Sequence, residues 1–217
     1  MKKQILFAVL TLSSLLPLPA ALYSMGNVNG SGTALNQAIP DGTYPSGVSS
    51  SMTVSSAGGA LSYLSVTLNI AGGYNGDLYA YLSHNGTSVV LLNRVGTSSG
   101  NAFGFGTAGF NNITLADGGV GGNIHNVENP TSGNTYSADG GSLASFNTMD
   151  PNGGWTLFLS DASHPDQSML LGWSLEITAV PEPVDYALAI FGTLFAAIGI
   201  ARWYRSARSM ANLITTV

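Results

Sequence analysis

The residues of this 217-residue sequence best suited to chemistry are oxygen donors in turns: Asn75-Gly-Asp77, Asp150-Pro-Asn152 and Ser160-Asp161. Loop carboxylates and backbone carbonyls are the ligands Ca²⁺ takes, so a structural calcium ion is one expectation. None of the three stretches matches the twelve-residue calcium loop with its closing Glu. Asp and Asn also shape ordinary turns by hydrogen bonding to the backbone, and under that reading Asp77 and Asp161 fix strand ends. The three histidines, His84, His125 and His164, lie far apart on predicted turns or loops, where solvent exposure is expected. Acyl transfer needs a base beside both a nucleophile and an orienting carboxylate, and there is no Gly-x-Ser-x-Gly elbow. With no cysteine and no His-x-x-x-His pair, zinc is not expected either.

Gly104-Phe-Gly106-Thr-Ala-Gly109 has the spacing of a dinucleotide-binding turn. That chemistry requires a strand before it and a helix after it, so that pyrophosphate meets a helix N-terminus. Neither context is predicted here, and a chain with 28 glycines produces the spacing by chance. Among the aromatics, Trp155 and Trp173 fall within apolar alternation and read as core. Tyr79 and Tyr81 fall on the polar face of their strand, where they form either an exposed pair able to stack on sugar rings or a cross-strand packing pair. No catalytic residue and no certain cofactor follow from these patterns. A hydrolase site assembled from loops stays as a minor alternative.

The elements that must carry these residues are strands. Leu64, Val66, Leu68 and Ile70 alternate with Ser65, Thr67 and Asn69, which sends an oily and a polar face to opposite sides of a sheet. Tyr79–Asn93 reads as a hairpin, because Asn85-Gly86 at its centre readily takes the positive φ angles of a tight turn. Further strands are expected at Met52–Ser55, Asn112–Ala116, Trp155–Asp161 and Gly172–Thr178, with surface loops at Gly96–Gly109 and Gly118–Gly141. High glycine content argues against a helical bundle, since each interior Gly costs a helix about 1 kcal/mol relative to Ala. The fold class expected is all-β, an antiparallel β-sandwich.

Charge separates the middle from the ends. From Ser24 to Thr178 a single basic residue, Arg94, faces nine acids. Nucleic acid is excluded as a partner, because affinity for a phosphate backbone comes largely from Lys and Arg displacing counterions. The other five basic residues lie near the termini: Lys2, Lys3, Arg202, Arg205 and Arg208.

Residues 1–26 combine a basic start, the apolar run Ile5–Leu16 and a zone of small and helix-breaking residues, the organisation of a secretory signal peptide cut by signal peptidase. A flexible leader is expected at 27–38, the sandwich at 39–178 and a short linker at 179–183. A transmembrane helix is expected at 184–204 and a basic cytoplasmic tail at 205–217. Tyr186–Ala201 would rise about 24 Å as a helix, slightly short of the ~30 Å hydrocarbon core, with Trp203 and Tyr204 as interfacial anchors. The arginines would hold their side in the cytoplasm and leave the middle outside.

This tail resembles the PEP-CTERM sorting signal of bacteria, in the order Val180-Pro181-Glu182-Pro183, one short span, then Arg202, Arg205 and Arg208. The resemblance implies recognition by an exosortase-type enzyme of the inner membrane, which cuts near the box and delivers the domain to the cell surface or an extracellular matrix. Ser209–Val217 extend beyond the basic cluster, further than is usual for such signals.

Within the middle, Ile39-Pro-Asp-Gly42, Gly76-Asp-Leu78, Gly86-Thr87, Val89–Leu92, Leu143 with Phe146, Asp150-Pro-Asn-Gly-Gly-Trp-Thr-Leu157, Ser160-Asp161 and Leu171-Gly-Trp-Ser-Leu175 occur in sequence. Together they resemble the P domain, or Homo B domain, that follows the catalytic domain of kexin- and furin-type proprotein convertases. The resemblance implies an eight-stranded, jelly-roll-like sandwich with no catalytic residues of its own. The expectation is therefore an exported, non-catalytic surface or matrix protein of structural or adhesive role. The alternative is a secreted carbohydrate-binding or calcium-dependent interaction module, with an extracellular polysaccharide as possible partner.

Overall fold

The computed structural model describes residues 20–180 and 183–214. Among the described residues, ten strands form two sheets around one core. The first sheet runs β1 (Ala21–Gly26), β10 (Ser168–Val180), β4 (Ala60–Gly72), β7 (Phe110–Ala116), β8 (Thr135–Tyr136), with β2 (Gln37–Ala38) also paired to β10. The second runs β3 (Val48–Val54), β9 (Gly153–Asp161), β5 (Leu78–His84), β6 (Thr87–Asn93). All strand pairs are antiparallel except β7 with β8. The all-β expectation holds, and two of the ten strands, β2 and β8, are only two residues long.

Alternation decides which side chains fill the space between the sheets. Leu64, Val66, Leu68 and Ile70 of β4 meet Trp173, Leu175 and Ile177 of β10 and Leu78, Ala80 and Leu82 of β5 in one cluster. Trp155 and Trp173 are fully enclosed, so neither offers a ring to a ligand. Their indole N–H groups are satisfied inside: Trp155 donates to the Pro151 carbonyl and Trp173 to Ser50 Oγ, both at 2.9 Å. The second bond ties β10 to β3 across the sandwich. Filling the edge, a 3₁₀ turn at Leu143–Phe146 places Phe146 against Trp155, ring centroids 5.1 Å apart.

Several boundaries move relative to the sequence reading. Ala21–Gly26, assigned to a signal peptide, is strand β1, in register with β10 from Ala21 opposite Ile177 to Gly26 opposite Gly172. The stretch expected as a flexible leader is docked. Val28 is buried, Asn69 Nδ2 donates to the Asn27 carbonyl at 2.9 Å, and the Asn27 and Leu35 N–H groups both donate to Leu171 O. The sandwich therefore begins at Ala21, not Ile39. The physical reason is that β4 and β10 are buried on both faces: the segment 27–38 lies over polar positions the alternation alone assigns to solvent. Residues 1–19 lie outside the described residues.

At the other end, β10 closes at Val180 opposite Ala60. Where a transmembrane helix was expected at 184–204, helix α1 spans Pro183–Ile214, so most of the expected basic tail is helical as well. Ile190, Phe191, Leu194, Phe195, Ile198 and Ile200 are exposed on it. Among the described residues, no helix is long and apolar enough to cross a membrane.

Candidate functional site

The sequence singled out seven sorting-signal residues, and the structure distributes them along the C-terminal segment. Val180 ends β10, half-exposed, and Pro183 begins α1. Pro181 and Glu182 lie outside the described residues. Arg202, Arg205 and Arg208 follow one another at three-residue spacing on α1, with Arg202 and Arg205 exposed.

Two of the three oxygen-rich turns converge. Pairing of β5 with β9 sets Leu78 opposite Asp161 and Tyr79 opposite Ser160. The 3₁₀ turn Asn75–Asp77 that leads into β5 thus meets the end of β9. The Ala162 N–H donates to Asp77 O at 2.9 Å, and the Thr43 and Tyr44 N–H groups donate to Asp161 O. That last contact brings in Asp41, which the sequence reading noted only as part of a motif. His164 Nδ1 lies 2.8 Å from Asp41 Oδ2. The result is an acidic end of the sandwich built from Asp41, Asn75, Asp77, Asp161 and Asp166.

Its electrostatics are unfavourable as drawn from protein groups alone. Asp161 is fully enclosed, and burial, then the charges of Asp77 and Asp41, push its carboxyl up to about 6. The Ser163 N–H on Oδ1 at 3.2 Å, and more weakly the nearby Ser168 hydroxyl, oppose that rise. Asp77 is also raised, first by burial and then by Asp166 and Asp41, against the pull of Arg94. Arg94 makes no ion pair here: its Nε donates to Gly76 O at 3.3 Å and a terminal nitrogen donates to Ala102 O at 3.0 Å. Asp41 Oδ1, Asp161 Oδ2 and both side-chain polar atoms of Asn75 are buried without a hydrogen-bond partner in the protein.

The third turn belongs to the opposite end of the same strands and does structural work. Asp150 Oδ1 accepts from the Asn152 N–H at 2.9 Å and its side-chain amide at 2.7 Å, while Asn152 joins Ala57 through both its amide atoms. Those bonds from Asn152 hold the Asp150 carboxyl below its usual range.

The second candidate is an aromatic row on the outer face of the four-stranded sheet. Tyr79 and Tyr81 point away from the core on β5, and Phe158 does so on β9, where it lies opposite Tyr81. Ring centroids step from Tyr44 to Tyr79 at 5.5 Å, to Tyr81 at 6.3 Å and to Phe158 at 4.8 Å. Burial, with Tyr44 and Tyr81 beside it, raises the Tyr79 phenol, which stays neutral and able to donate. Hydroxyls flank the row: Ser49, Ser51 and Thr53 are exposed on β3, and Thr156 Oγ1 meets Ser51 Oγ at 2.9 Å. Of the two readings of Tyr79 and Tyr81, cross-strand packing is realised by Tyr81 stacked on Phe158, while both tyrosines lie on the outer face only half-exposed.

Of the three histidines, His164 lies exposed on a loop as expected, whereas His84 is buried and His125 is half-buried. His84 closes β5, buried and stacked flat on Trp155 with centroids 4.0 Å apart, its ring nitrogens 2.9 and 2.8 Å from the Gly154 and Asp150 carbonyls. His125 Nδ1 contacts Asp139 Oδ2 at 2.9 Å and Nε2 contacts Thr97 O at 3.0 Å. Hydrogen bonding to Asp139 raises the His125 ring despite partial burial. Among the described residues, none of the three rings has a serine or threonine hydroxyl as a hydrogen-bond partner. The glycine motif at 104–109 is explained by close packing. Gly104 has φ +71° and a side chain there would collide with the Val95 carbonyl, while Gly109, at φ +78°, approaches the Ile70 carbonyl. Strand β7, not a helix, follows.

No family model matches the chain, and no curated protein matches it. Among solved structures it is similar to the Aeromonas sobria serine protease in complex with its chaperone, at 17% identity and a TM-score of 0.46, covering 77% of this chain and 27% of that one. The serine protease of Aeromonas sobria alone gives 15% identity and a TM-score of 0.41 over 76% of this chain and 27% of that one. The chain spans about a quarter of the length of either.

Proposed function

We propose that this chain is an exported, non-catalytic β-sandwich of structural or adhesive role at the cell surface or in an extracellular matrix, with the aromatic row as its contact surface. The row carries the reading. Flat rings flanked by hydroxyls present apolar faces and hydrogen-bonding groups side by side, which suits the mixed surface of a polysaccharide. Catalysis is disfavoured because the histidines contact carbonyls, carboxylates and amides. The sandwich is read as P-domain-like and jelly-roll-like, in keeping with two largely antiparallel sheets packed around one core. Export follows from the basic and apolar N-terminal run. Anchoring and exosortase sorting follow from the Pro-Glu-Pro box, the apolar stretch and the arginines, and the exposed apolar side chains of α1 suit a lipid surroundings better than water.

Binding of the full chain to an array of bacterial and plant polysaccharides tests the surface. Wild type is expected to bind a subset of β-linked glycans, and Tyr79→Ala with Tyr81→Ala is expected to weaken that binding at least about tenfold, as for loss of roughly 1.4 kcal/mol of contact. Unchanged binding by a folded double variant removes the row from consideration.

A further inference from the structure

We propose that the acidic end of the sandwich binds a hard divalent cation, calcium, between Asp41 and Asp161, with the Asn75 amide oxygen and backbone carbonyls completing the shell. Asp161 has no solvent exposure, and its Oδ2 has no hydrogen-bond partner in the protein. Asp41 Oδ1 is in the same condition, its other oxygen being engaged by His164. Asn75 is fully enclosed on the turn that meets the end of β9, and neither its amide nitrogen nor its amide oxygen is bonded. Buried polar groups are otherwise nearly always paired, and an unpaired buried carboxylate is far more costly than an unpaired amide. The three unbonded oxygens at this end, Asp41 Oδ1, Asp161 Oδ2 and Asn75 Oδ1, point to a missing positive partner. Arg94 does not supply it, since its donors go to carbonyl oxygens.

The donor chemistry selects the ion. All the candidate ligands are oxygens, which suit calcium, magnesium or manganese rather than zinc or copper. Among the described residues no three His, Cys, Asp or Glu side chains converge closely enough to hold a metal by themselves. The shell must therefore mix two carboxylates with amide and backbone oxygens, which calcium accepts at variable number and angle, whereas magnesium demands near-ideal octahedral geometry. This inference does not depend on the adhesive reading, and each fails on its own experiment.

The full chain in detergent is melted in EDTA and in about 10 µM to about 10 mM calcium, a range that spans the weak affinities of extracellular calcium modules. A ligand that binds the native state alone raises Tm, here by at least about 5 °C once calcium exceeds its Kd about a hundredfold. Magnesium is expected to give less than half that shift. Asp161→Asn should abolish the calcium shift and, in EDTA, melt above wild type because the unpaired charge is gone. Asp41→Asn should weaken calcium at least about tenfold, and Asp150→Asn, at the far end of the strands, should respond as wild type does. Terbium should report the same order through emission sensitised by Tyr44, whose N–H bonds Asp161 O. If wild type shows no shift, if both Asp41→Asn and Asp161→Asn shift as wild type does, or if Asp150→Asn alone loses the shift, the site is refuted. Should Asp161→Asn not fold, the wild-type and Asp41→Asn titrations decide.

Discussion

At the scale of single residues, one polar contact sets a pH dependence. Asp139 Oδ2 accepts from the Asn93 N–H at 2.8 Å and contacts His125 Nδ1 at 2.9 Å, so one carboxylate joins the end of β6 to the turn at Ile124–Asn126. The folded state raises the His125 ring above its ordinary value, which means that protonated His125 is held more tightly folded than unfolded. The stabilisation is complete below the unfolded value of ~6.5 and is lost as pH rises through the folded value. Asp139→Asn removes the charge while keeping an acceptor. Its Tm should lie about 2–4 °C below wild type near pH 5, corresponding to roughly 1 kcal/mol in a domain of this size, and the gap should shrink towards pH 9. A gap that stays constant across that range would show that the His125 charge plays no part. This pair illustrates what residue patterns conceal: His125 and Asp139 are fourteen positions apart on what reads as a glycine-rich loop. The same holds for Asp117, whose carboxylate accepts from the Leu143 and Ala144 N–H groups and from Ser142 Oγ. By contrast, the enclosure of Trp155 and Trp173 followed directly from their places in apolar alternation.

At the scale of elements, legibility tracked how local the determining physics is. The Tyr79–Asn93 hairpin was readable because the turn that closes it lies within it, and Asn85 and Gly86 take φ values of +46° and +80°. Strands β3, β4, β7, β9 and β10 were found with starts late by up to four residues, since alternation fades where a strand leaves the core, while β3 ends one residue before the reading, at Val54. Strands β1, β2 and β8 were missed. Two of these are two residues long, and β1 lies next to an apolar run that reads as an export signal. β1 is also the element whose loss is most informative. Tyr23 and Met25 pack against the core, the Tyr23 hydroxyl donates to Ser55 O, and Met25 Sδ accepts from Ser50, the residue that also accepts from Trp173. A chain starting at Asn27 should therefore be less stable than one starting at Ala20 by roughly 2–4 kcal/mol, from re-exposing those two side chains. It should also aggregate more readily, because β10 is left with an open edge opposite Ala21–Gly26. Equal denaturant midpoints for the two chains would show that β1 is dispensable and that the sandwich starts later.

At the scale of the whole molecule, the sandwich and the two termini constrain one another. Strand β1 begins at Ala21 and β10 closes at Val180, so processing that preserves the fold must cut at or before Ala21 and at or after Val180. The small residues Ala20 and Ala21 stand at the first boundary, and Pro181-Glu-Pro183 stands at the second, where the last strand has ended and α1 is starting. A cut in that box would detach the exposed apolar helix without breaking a ladder bond of β10. Intact mass of the mature protein, purified from cells with and without an exosortase, tests both ends together. The N-terminus is expected at Ala20 or Ala21 in both strains, and the C-terminus is expected within a few residues of Pro183 only where the enzyme is present. The shortened protein should melt within about 1 °C of the full chain, since none of the described residues beyond Val180 belongs to the core. A mature N-terminus at Asn27 would mean that β1 is discarded and that its pairing with β10 is not part of the exported fold. An uncut C-terminus in both strains would leave α1 as a permanent part of the protein and remove exosortase from its route.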